Sequence, residues 1–410
     1  MNAVSSPRPV LLVLASTYPR WRDDHEPAFV HELCRRLAQR FRVIALVPDA
    51  PGADPSGEFQ GVEVRRFCYA PRRFQTLVNN GGVAANLRRS PWKWGLLPGF
   101  VIAQYLAARR ILRSERVDAI HAHWLLPQGL LARRLSATRG VPFVVTSHGG
   151  DLYGLRSPAL IRLKQKVAAH STAMSVVSAA MLEEAHVQGI HARSMVVLPM
   201  GVDLASRFCP DLLVRRDNDR LLFVGRLVPK KGVRYLLDAM PAVIAQRPSV
   251  RLGIAGFGPE ESALRRQAEE LGILGHVDFL GAKRQASLPE LYRSAALFVA
   301  PFVRDASGDQ EGLPVALMEA IGCGCPVLAG NVAGIHELLG SSADEVAVTP
   351  EETGPLALRI LDVLAQPERA REQAERRRLA LGSKVDWQVI ANGYADWIEA
   401  SCLGSRGGCA

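Results

Sequence analysis

The stretch Asp309-Gln-Glu-Gly-Leu-Pro-Val-Ala-Leu-Met-Glu-Ala-Ile321 places Glu311 just before a predicted helix and Glu319 inside it. Pro314 suits the first position of that helix, because its missing N–H costs nothing there, and Gly312 permits a tight loop before it. A helix start leaves backbone N–H groups unpaired, which favours oxygen-rich or anionic ligands. The alternative interpretation is a capped helix with an incidental pair of acidic residues.

A second segment, Gly225-Arg-Leu-Val-Pro-Lys-Lys-Gly232, follows the apolar run Leu221-Leu-Phe-Val224. Such a run is typical of a buried parallel strand, so the cations are predicted at the carboxyl edge of a sheet, where open α/β folds bind ligands. No Gly-Lys-Ser/Thr closes the segment, which gives no support for ATP hydrolysis. Alone it is compatible with a solvated basic turn. Cations suit phosphates and carboxylates suit hydroxyls, and a nucleotide sugar carries both groups.

Composition indicates an ordinary globular protein with two domains. The chain has 410 residues, of which 48% are hydrophobic and 22% charged, and domains of roughly 200 residues are common. No apolar stretch reaches the roughly 18 residues that a membrane span needs. The seven cysteines are scattered, so neither a disulfide framework nor a zinc site is predicted, and the expected location is the cytoplasm.

Charge is distributed unevenly along the chain. Residues 1–200 hold 26 Lys and Arg against 13 Asp and Glu, whereas residues 201–410 hold 24 against 27. A basic half favours an anionic partner, such as a membrane surface or a phosphorylated lipid. Nucleic acid is not expected, because no zinc-finger spacing, RNA-binding aromatic signature or basic zipper is present.

Short apolar runs alternate with helical patterns in both halves, which predicts βα units around parallel sheets. The expected architecture is an α/β fold with two Rossmann-like domains facing a cleft, at 1–200 and 201–385, and a helix over 386–402 that returns to the first domain. The residues from Gly404 are expected to be frayed. The predicted strands are Val10–Leu14, Val43–Val47, Ala119–His121, Val141–Thr146, Met174–Val177, Leu221–Val224, Arg251–Ala255, His276–Leu280, Leu297–Ala300 and Val327–Ala329, with helices at Phe29–Arg40 and Phe100–Arg113.

Residues 72–100 interrupt the alternation of strand and helix patterns. They mix cations with aromatic residues, as in Arg88-Arg-Ser-Pro-Trp-Lys-Trp-Gly-Leu-Leu-Pro98. Basic residues interleaved with Trp and Leu suit a membrane interface, with Trp92, Trp94, Leu96 and Leu97 in contact with lipid. The alternative is a long surface loop whose tryptophans fold inward.

Two histidines stand at the ends of predicted neighbouring strands. His123 ends the run from Ala119, and His148 follows Val144-Val-Thr-Ser147 and precedes Gly149-Gly-Asp151. A single histidine at such a place is usually structural. Two at the ligand-binding edge of one sheet favour contact with a sugar hydroxyl or a phosphate.

With these motifs the chain resembles the family 4 retaining glycosyltransferases, which share the two-domain GT-B fold. The resemblance extends over nearly the whole chain. It includes Thr17-Tyr-Pro19, Pro27-Ala-Phe-Val30, His121-Ala-His-Trp124, Ser147-His-Gly-Gly-Asp151, Pro199-Met-Gly-Val-Asp203, the Gly225–Gly232 segment and the two glutamates. The sequence Glu-Gly-Leu-Pro departs from the Glu-Gly-Phe-Gly form common in the family.

The resemblance implies a role for each residue that binds the donor. Gly225, Arg226 and Lys231 would hold the diphosphate of a UDP- or GDP-linked sugar. Glu319 would contact the ribose hydroxyls, and Glu311 would act as a catalytic residue that touches the transferred sugar.

The backbone of Gly312 and Leu313 would assist Glu311 at the donor. On the acceptor side, His148, Gly149 and Asp151 would bind a glycan or a polyprenyl- or other lipid-linked acceptor, and His123 would be catalytic. The family resemblance implies a metal-independent reaction without a cofactor. It also implies synthesis of cell-surface polysaccharide or glycolipid, with possible attachment to the inner face of the cytoplasmic membrane.

Two other functions suit the same features, namely a sugar-nucleotide epimerase and a nucleotide-sugar-binding protein without activity. An epimerase needs further acidic residues for proton abstraction, and a binding protein does not need the paired cations. A dehydrogenase is not expected, because Gly256-Phe-Gly258-Pro lacks the third glycine of the dinucleotide fingerprint.

Overall fold

Two β-sheets organise the chain, one in each of two units. In a computed structural model, unit 1 comprises Met1–Pro199 and Ile390–Ala410, and unit 2 comprises Met200–Val389. The structure describes residues 7–22, 24, 26, 28–79, 82–306, 308 and 310–404. Pro27, Asp309 and the predicted frayed tail beyond Gly404 lie outside the described residues.

The sheet of unit 1 has eight strands in the order β3-β4-β2-β1-β5-β6-β7-β8. All neighbours pair in parallel except β3 and β4, which form an antiparallel edge. The strands are β1 (Val10–Leu14), β2 (Arg42–Pro48), β3 (Gly57–Phe59), β4 (Val62–Phe67), β5 (Ala119–His123), β6 (Phe143–Ser147), β7 (Ala173–Val176) and β8 (Met195–Val197). The helices are α1 (Phe29–Leu37), α2 (Gly82–Arg89), α3 (Leu96–Ser114), α4 (Leu130–Arg139), α5 (Gly150–Tyr153), α6 (Pro158–His170) and α7 (Ala179–Val187).

The sheet of unit 2 has six parallel strands in the order β11-β10-β9-β12-β13-β14. The strands are β9 (Asp217–Val224), β10 (Arg251–Ala255), β11 (Val277–Gly281), β12 (Ala295–Ala300), β13 (Val327–Gly330) and β14 (Ala347–Val348). The helices are α8 (Val233–Gln246), α9 (Glu261–Glu270), α10 (Leu288–Ser294), α11 (Val315–Gly322), α12 (Ala333–Leu339), α13 (Thr353–Ala365), α14 (Pro367–Val385) and α15 (Trp387–Ile398), and the residues of α15 from Ile390 belong to unit 1.

Many of the strands could be predicted from the sequence because both faces of the sheets are buried. The central strand β1 reads Val-Leu-Leu-Val-Leu, and residues Leu11 to Leu14 are fully buried. In unit 2, the apolar residues of β9 and β12 pack into two hydrophobic clusters, one on each side of the sheet. A parallel strand covered by helices on both faces favours such continuous apolar runs. The prediction of two parallel-sheet α/β domains is therefore confirmed.

The structure corrects two local predictions. Helix α11 begins at Val315, and Pro314 precedes it as the N-cap rather than as the first helical residue. The interruption at residues 72–100 is not a single loop, because it contains α2 and the start of α3. Its tryptophans do not fold inward, since Trp92 and Trp94 are 57% and 59% exposed.

The end of the described chain packs on unit 1. Tyr394 donates a hydrogen bond to the carbonyl of Leu198 at 2.8 Å, and Arg40 forms ion pairs with Asp396 and Glu399. Tyr394 is fully buried, so the hydrogen bond of its hydroxyl also satisfies a buried polar group. None of the described helices combines the length and the apolar character that crossing a membrane requires.

Candidate active site

The carboxyl edge of the unit 2 sheet brings the predicted cations together with a glutamate. We call Arg226, Lys230, Lys231 and Glu311 the charged edge. The Lys231 Nζ lies 2.7 Å from Glu311 Oε2, and both side chains are about 15% exposed or less. The same ammonium lies 4.7 Å from the centre of the Phe302 ring. Lys231 is therefore fixed by an ion pair and a cation–π contact in a partly dehydrated place.

The conformation of the chain at Gly232 helps to place Lys231. Gly232 has φ +65°, a left-handed conformation, and a Cβ there would overlap the carbonyl oxygen of Pro301. Pro301 follows β12 directly. The turn that carries Lys231 can therefore approach the end of β12 only because residue 232 is glycine.

Glu311 is a carboxylate held ionised by its neighbours. Burial alone would raise its pKa, but Lys231, Lys230 and Arg226 outweigh burial and hold the pKa below its ordinary value of 4.5. Lys230 also donates to the carbonyl of Gln310 at 3.3 Å. Three cations thus act on one carboxylate, which explains why Glu311 stays ionised although it is buried.

Glu319 has the opposite electrostatic environment. It is 4% exposed, and its Oε2 accepts a hydrogen bond from the Tyr292 hydroxyl at 2.9 Å. Burial raises the pKa of Glu319 to about 7, although hydrogen bonds from Tyr292 and Gln285 oppose the shift. The two glutamates of one motif therefore differ in protonation near neutral pH, and only Glu319 changes its charge there.

The loop between the two glutamates is held by close backbone contact. A Cβ at Gly334, near the start of α12, would overlap the carbonyl oxygen of Gly312. The loop that carries Gly312 and Leu313 therefore lies against the backbone of α12, and a side chain at residue 334 would displace it. Short main-chain contacts of this kind fix where backbone groups can meet a ligand.

In unit 1, the two predicted histidines are hydrogen-bonded to each other. The His123 Nδ1 lies 2.8 Å from His148 Nε2, and the two rings stack with 14° between their planes. The strands before them, β5 and β6, pair in parallel, which brings both strand ends to the same edge. Phe29 and Trp124 pack on His148, with ring centres 4.9 and 5.0 Å away.

Asp151 ties together the two loops that carry this pair. One carboxylate oxygen accepts from the Leu125 N–H at 2.6 Å, and the other accepts from the Ser147 hydroxyl at 2.8 Å and from the His148 N–H at 3.3 Å. Asp151 is 3% exposed, and burial raises its pKa, against the effect of those donors and of Lys164. Its role in the site is to fix the loop around His148.

Lys164 of α6 also holds the loop that carries His148 and Asp151. Its ammonium donates to the carbonyls of Asp151 and Leu152, both at 3.2 Å, and to Gln188 Oε1 at 2.6 Å. The side chain is fully buried. A buried ammonium with three acceptors is satisfied, so Lys164 stabilises the loop without being available to a ligand.

A deeper polar layer lies behind the histidine pair. The His121 Nε2 lies 2.8 Å from Thr146 Oγ1, which in turn lies 2.7 Å from Ser175 Oγ. Burial lowers the pKa of His121 and of His148 to about 3 and lowers that of His123 well below its ordinary value of 6.5. All three imidazoles are therefore neutral at neutral pH.

The sequence identified most of the polar groups but missed two partners. Tyr292, which bonds Glu319, stands in an ordinary amphipathic helix and carries no signal. Lys164 could have been found, because it lies three and four residues before the buried Val167 and Ala168 and so on the apolar face of α6. A lysine on such a face needs buried acceptors.

The two halves of the chain match two family models. The model described as Glycosyltransferase Family 4 matches residues 28–206, and the model described as Glycosyl transferases group 1 matches residues 210–379. Together they span the sheet of unit 2, all strands of the unit 1 sheet except β1, and the candidate site residues of each unit.

Individual proteins agree with these matches. A glycogen synthase of Mycobacterium tuberculosis is 28% identical over 396 residues, which cover 92% of this chain and 91% of that protein. A GDP-mannose-dependent alpha-(1-6)-phosphatidylinositol monomannoside mannosyltransferase of Mycolicibacterium smegmatis is 30% identical over 288 residues, covering 67% and 74%.

A solved structure gives the fold. The Anabaena protein HepE, in complex with UDP and glucose, superposes with a TM-score of 0.72 at 19% identity and covers 96% of this chain and 100% of that one. The two family matches and the curated glycosyltransferases decide for a transferase over an epimerase or an inactive binding protein. The chain belongs to the family 4 glycosyltransferases and is an enzyme of the GT-B fold.

Proposed function

We propose that the enzyme transfers a hexose-type sugar from a UDP- or GDP-linked donor to a hydroxyl of a glycan or lipid-linked acceptor, with retention at the anomeric carbon. The bond from the anomeric carbon to the diphosphate oxygen breaks, and a bond to the acceptor oxygen forms on the same face. The acceptor proton leaves with the diphosphate. The product serves polysaccharide or glycolipid synthesis.

The charged edge carries this proposal. Negative charge develops on the diphosphate as the donor bond breaks, and preorganised cations in a partly dehydrated site stabilise such charge strongly. Lys231 and its neighbours already act on one carboxylate, and the same cations suit the charge of a diphosphate in a reaction without a metal ion. Glu319, paired with Tyr292, suits the neutral hydroxyls of a ribose.

Unit 1 and the relatives support the proposed class of acceptor. The glycogen synthase acts on a glucan by its name, and the mannosyltransferase acts on a phosphatidylinositol mannoside. Both kinds of acceptor present a sugar hydroxyl, which the neutral imidazole of His148 can hydrogen-bond. Gly149 and Asp151 shape this side by fixing the His148 loop.

A surface on unit 1 favours the lipid-linked alternative. We call Phe74, Trp92, Trp94, Ile102 and Leu106 the docking surface. Their side chains are 40–59% exposed, and the Phe74 and Trp92 rings meet edge to face at 6.3 Å. Residues 64–114 contain ten Arg and Lys and no Asp or Glu. Exposed aromatic residues in such a basic segment suit an anionic membrane surface.

The structure changes the predicted lipid contacts within this region. Lys93 is buried, and its ammonium donates to Thr76 O at 2.9 Å and to Asn86 Oδ1 at 3.2 Å. Leu96 and Leu97 are only partly exposed, and the side chain of Arg88 lies outside the described part of the chain. Lys93 therefore supports the fold. Ile102 and Leu106 of α3 replace Leu96 and Leu97 as proposed lipid contacts.

Replacement of Lys231 by methionine should lower turnover about 10²- to 10³-fold, the cost of losing one preorganised charge-stabilising donor. The same loss is expected for Arg226→Ala. Release of UDP or GDP from a panel of nucleotide sugars, with and without acceptor, measures it. Lys384→Ala, which removes an exposed cation of unit 2, should leave turnover unchanged.

Loss of Lys231 also removes the ion-pair partner of the Glu311 carboxylate, which destabilises a buried site. The double variant Lys231→Met/Glu311→Gln should therefore regain thermal stability without regaining turnover. Turnover near that of the wild type in Lys231→Met, or full recovery in the double variant, would contradict the assignment of the diphosphate to this edge.

Affinity for UDP or GDP should rise between pH 6 and pH 8. Burial holds the pKa of Glu319 at about 7, and ribose hydroxyls donate best to the ionised form, so binding favours the deprotonated state. In Glu319→Gln this contribution should be absent and only the titration of the nucleotide phosphate should remain. Isothermal titration calorimetry of both proteins across this range measures the difference. The same pH dependence in both proteins would refute a role for Glu319 in binding.

Vesicles with an anionic lipid should co-sediment the protein, and neutral vesicles should not. Each cation near such a surface contributes about 1 kcal/mol, and binding should weaken as salt rises. The double variant Trp92→Ser/Trp94→Ser should release the protein, whereas Val187→Ser, at a still more exposed apolar residue of unit 1, should not. Equal binding to both vesicle types would contradict an anionic docking surface.

A further inference from the structure

The burial of His123 separates it from its partner in the histidine pair. His123 is fully buried, and its Nε2 is a buried atom without a hydrogen-bond partner among the described residues. His148 is only partly buried. A ligand can therefore reach the ring of His148, whereas the free nitrogen of His123 is closed off by protein.

The hydrogen bond to His148 is the one polar interaction that the structure gives to the His123 ring among the described residues. Leaving the other nitrogen buried without a partner destabilises the fold, and an apolar residue of similar volume would avoid that cost. Histidine at this position is therefore better explained by what it does to His148 than by what it adds to stability.

The direction of this hydrogen bond follows from the unpartnered Nε2 of His123. If His148 donated, His123 would carry its proton on Nε2, and a buried N–H would lack an acceptor. If His123 donates from Nδ1, only a lone pair at Nε2 is left unused. Buried N–H groups without an acceptor are the rarer case in proteins.

We propose that His123 is a positioning residue that donates from Nδ1–H to His148 Nε2 and so holds His148 in the Nδ1–H tautomer. His148 then presents a fixed N–H donor to a sugar or acceptor oxygen. Free histidine prefers the other tautomer, so this donor would be a minor form without His123. The use of that donor rests on the proposed function, whereas the tautomer does not.

The backbone around the pair supports such a fixed arrangement. Trp124, directly after His123, has φ +77°, which is unusual for a bulky residue. Its N–H donates to Thr146 O at 2.7 Å, and its carbonyl accepts from Gly129 N at 3.0 Å. Asp151 holds the neighbouring loop by the bonds described above. Both imidazoles are thus mounted on anchored backbone, which keeps one hydrogen-bond geometry.

Nitrogen-15 NMR of protein labelled at its ten histidines tests the proposal directly. His148 is assigned by the loss of its signals in His148→Gln. In the wild type it should show the Nδ1–H tautomer. In His123→Leu it should shift to the Nε2–H tautomer, while His123→Asn, whose side-chain amide can donate from the same place, should restore the wild-type state. His170→Leu, at an exposed histidine hydrogen bond of unit 1, is the matched control.

Turnover should follow the tautomer. We expect a loss of about ten- to a hundredfold in His123→Leu, the range seen when the outer partner of a metal-bound histidine is removed, and recovery in His123→Asn. An unchanged His148 tautomer in His123→Leu would overturn the proposal, as would an Nε2–H tautomer in the wild type. If the wild type transferred no sugar at all, the proposed function would fail, and the NMR result would still decide the role of His123.

Discussion

The ion pair between Lys231 and Glu311 is the interaction on which the candidate site of unit 2 depends. It joins the turn after β9 to the loop after β12, so it positions a cation and a carboxylate from separate parts of the sequence. Neither charge is stable alone in so buried a place, since an unpaired buried charge is costly. Gly232 allows the turn to approach the end of β12, and Gly334 allows the loop that carries Gly312 to lie against α12.

The candidate site of unit 1 is also built from buried polar groups, but its imidazoles are neutral. The pKa values of its buried histidines are lowered by burial, so the imidazoles act as hydrogen-bonding groups rather than as charges. Their positions are set by Asp151 and Lys164, whose polar atoms are satisfied by main-chain groups and by the side chains of Ser147 and Gln188. Rigidity of this kind suits the recognition of uncharged sugar hydroxyls that we propose for unit 1, and it accounts for buried polar residues where apolar ones would be more stable.

Much of the fold was predictable from the sequence, because central parallel strands are buried on both faces and read as apolar runs. Two edge strands were not: β3 reads Gly-Glu-Phe and β14 has two residues, too little for a hydrophobic signal. The motifs indicated Lys231, Glu311 and Glu319 as candidate site residues, but they did not predict the contacts of these residues. The ion pair, the Tyr292 hydrogen bond and the burial of Lys93 depend on residues distant in sequence, which local patterns do not relate.

The most direct test of whether the charged edge holds the diphosphate is nucleotide binding with and without the charge of Lys231. Calorimetry should compare UDP with uridine, and GDP with guanosine, on the wild type and on Lys231→Met. If the charged edge holds the diphosphate, the nucleotide should bind more tightly than its nucleoside in the wild type, and most of this difference should disappear in the variant while nucleoside binding stays the same. An equal difference in both proteins would contradict the account.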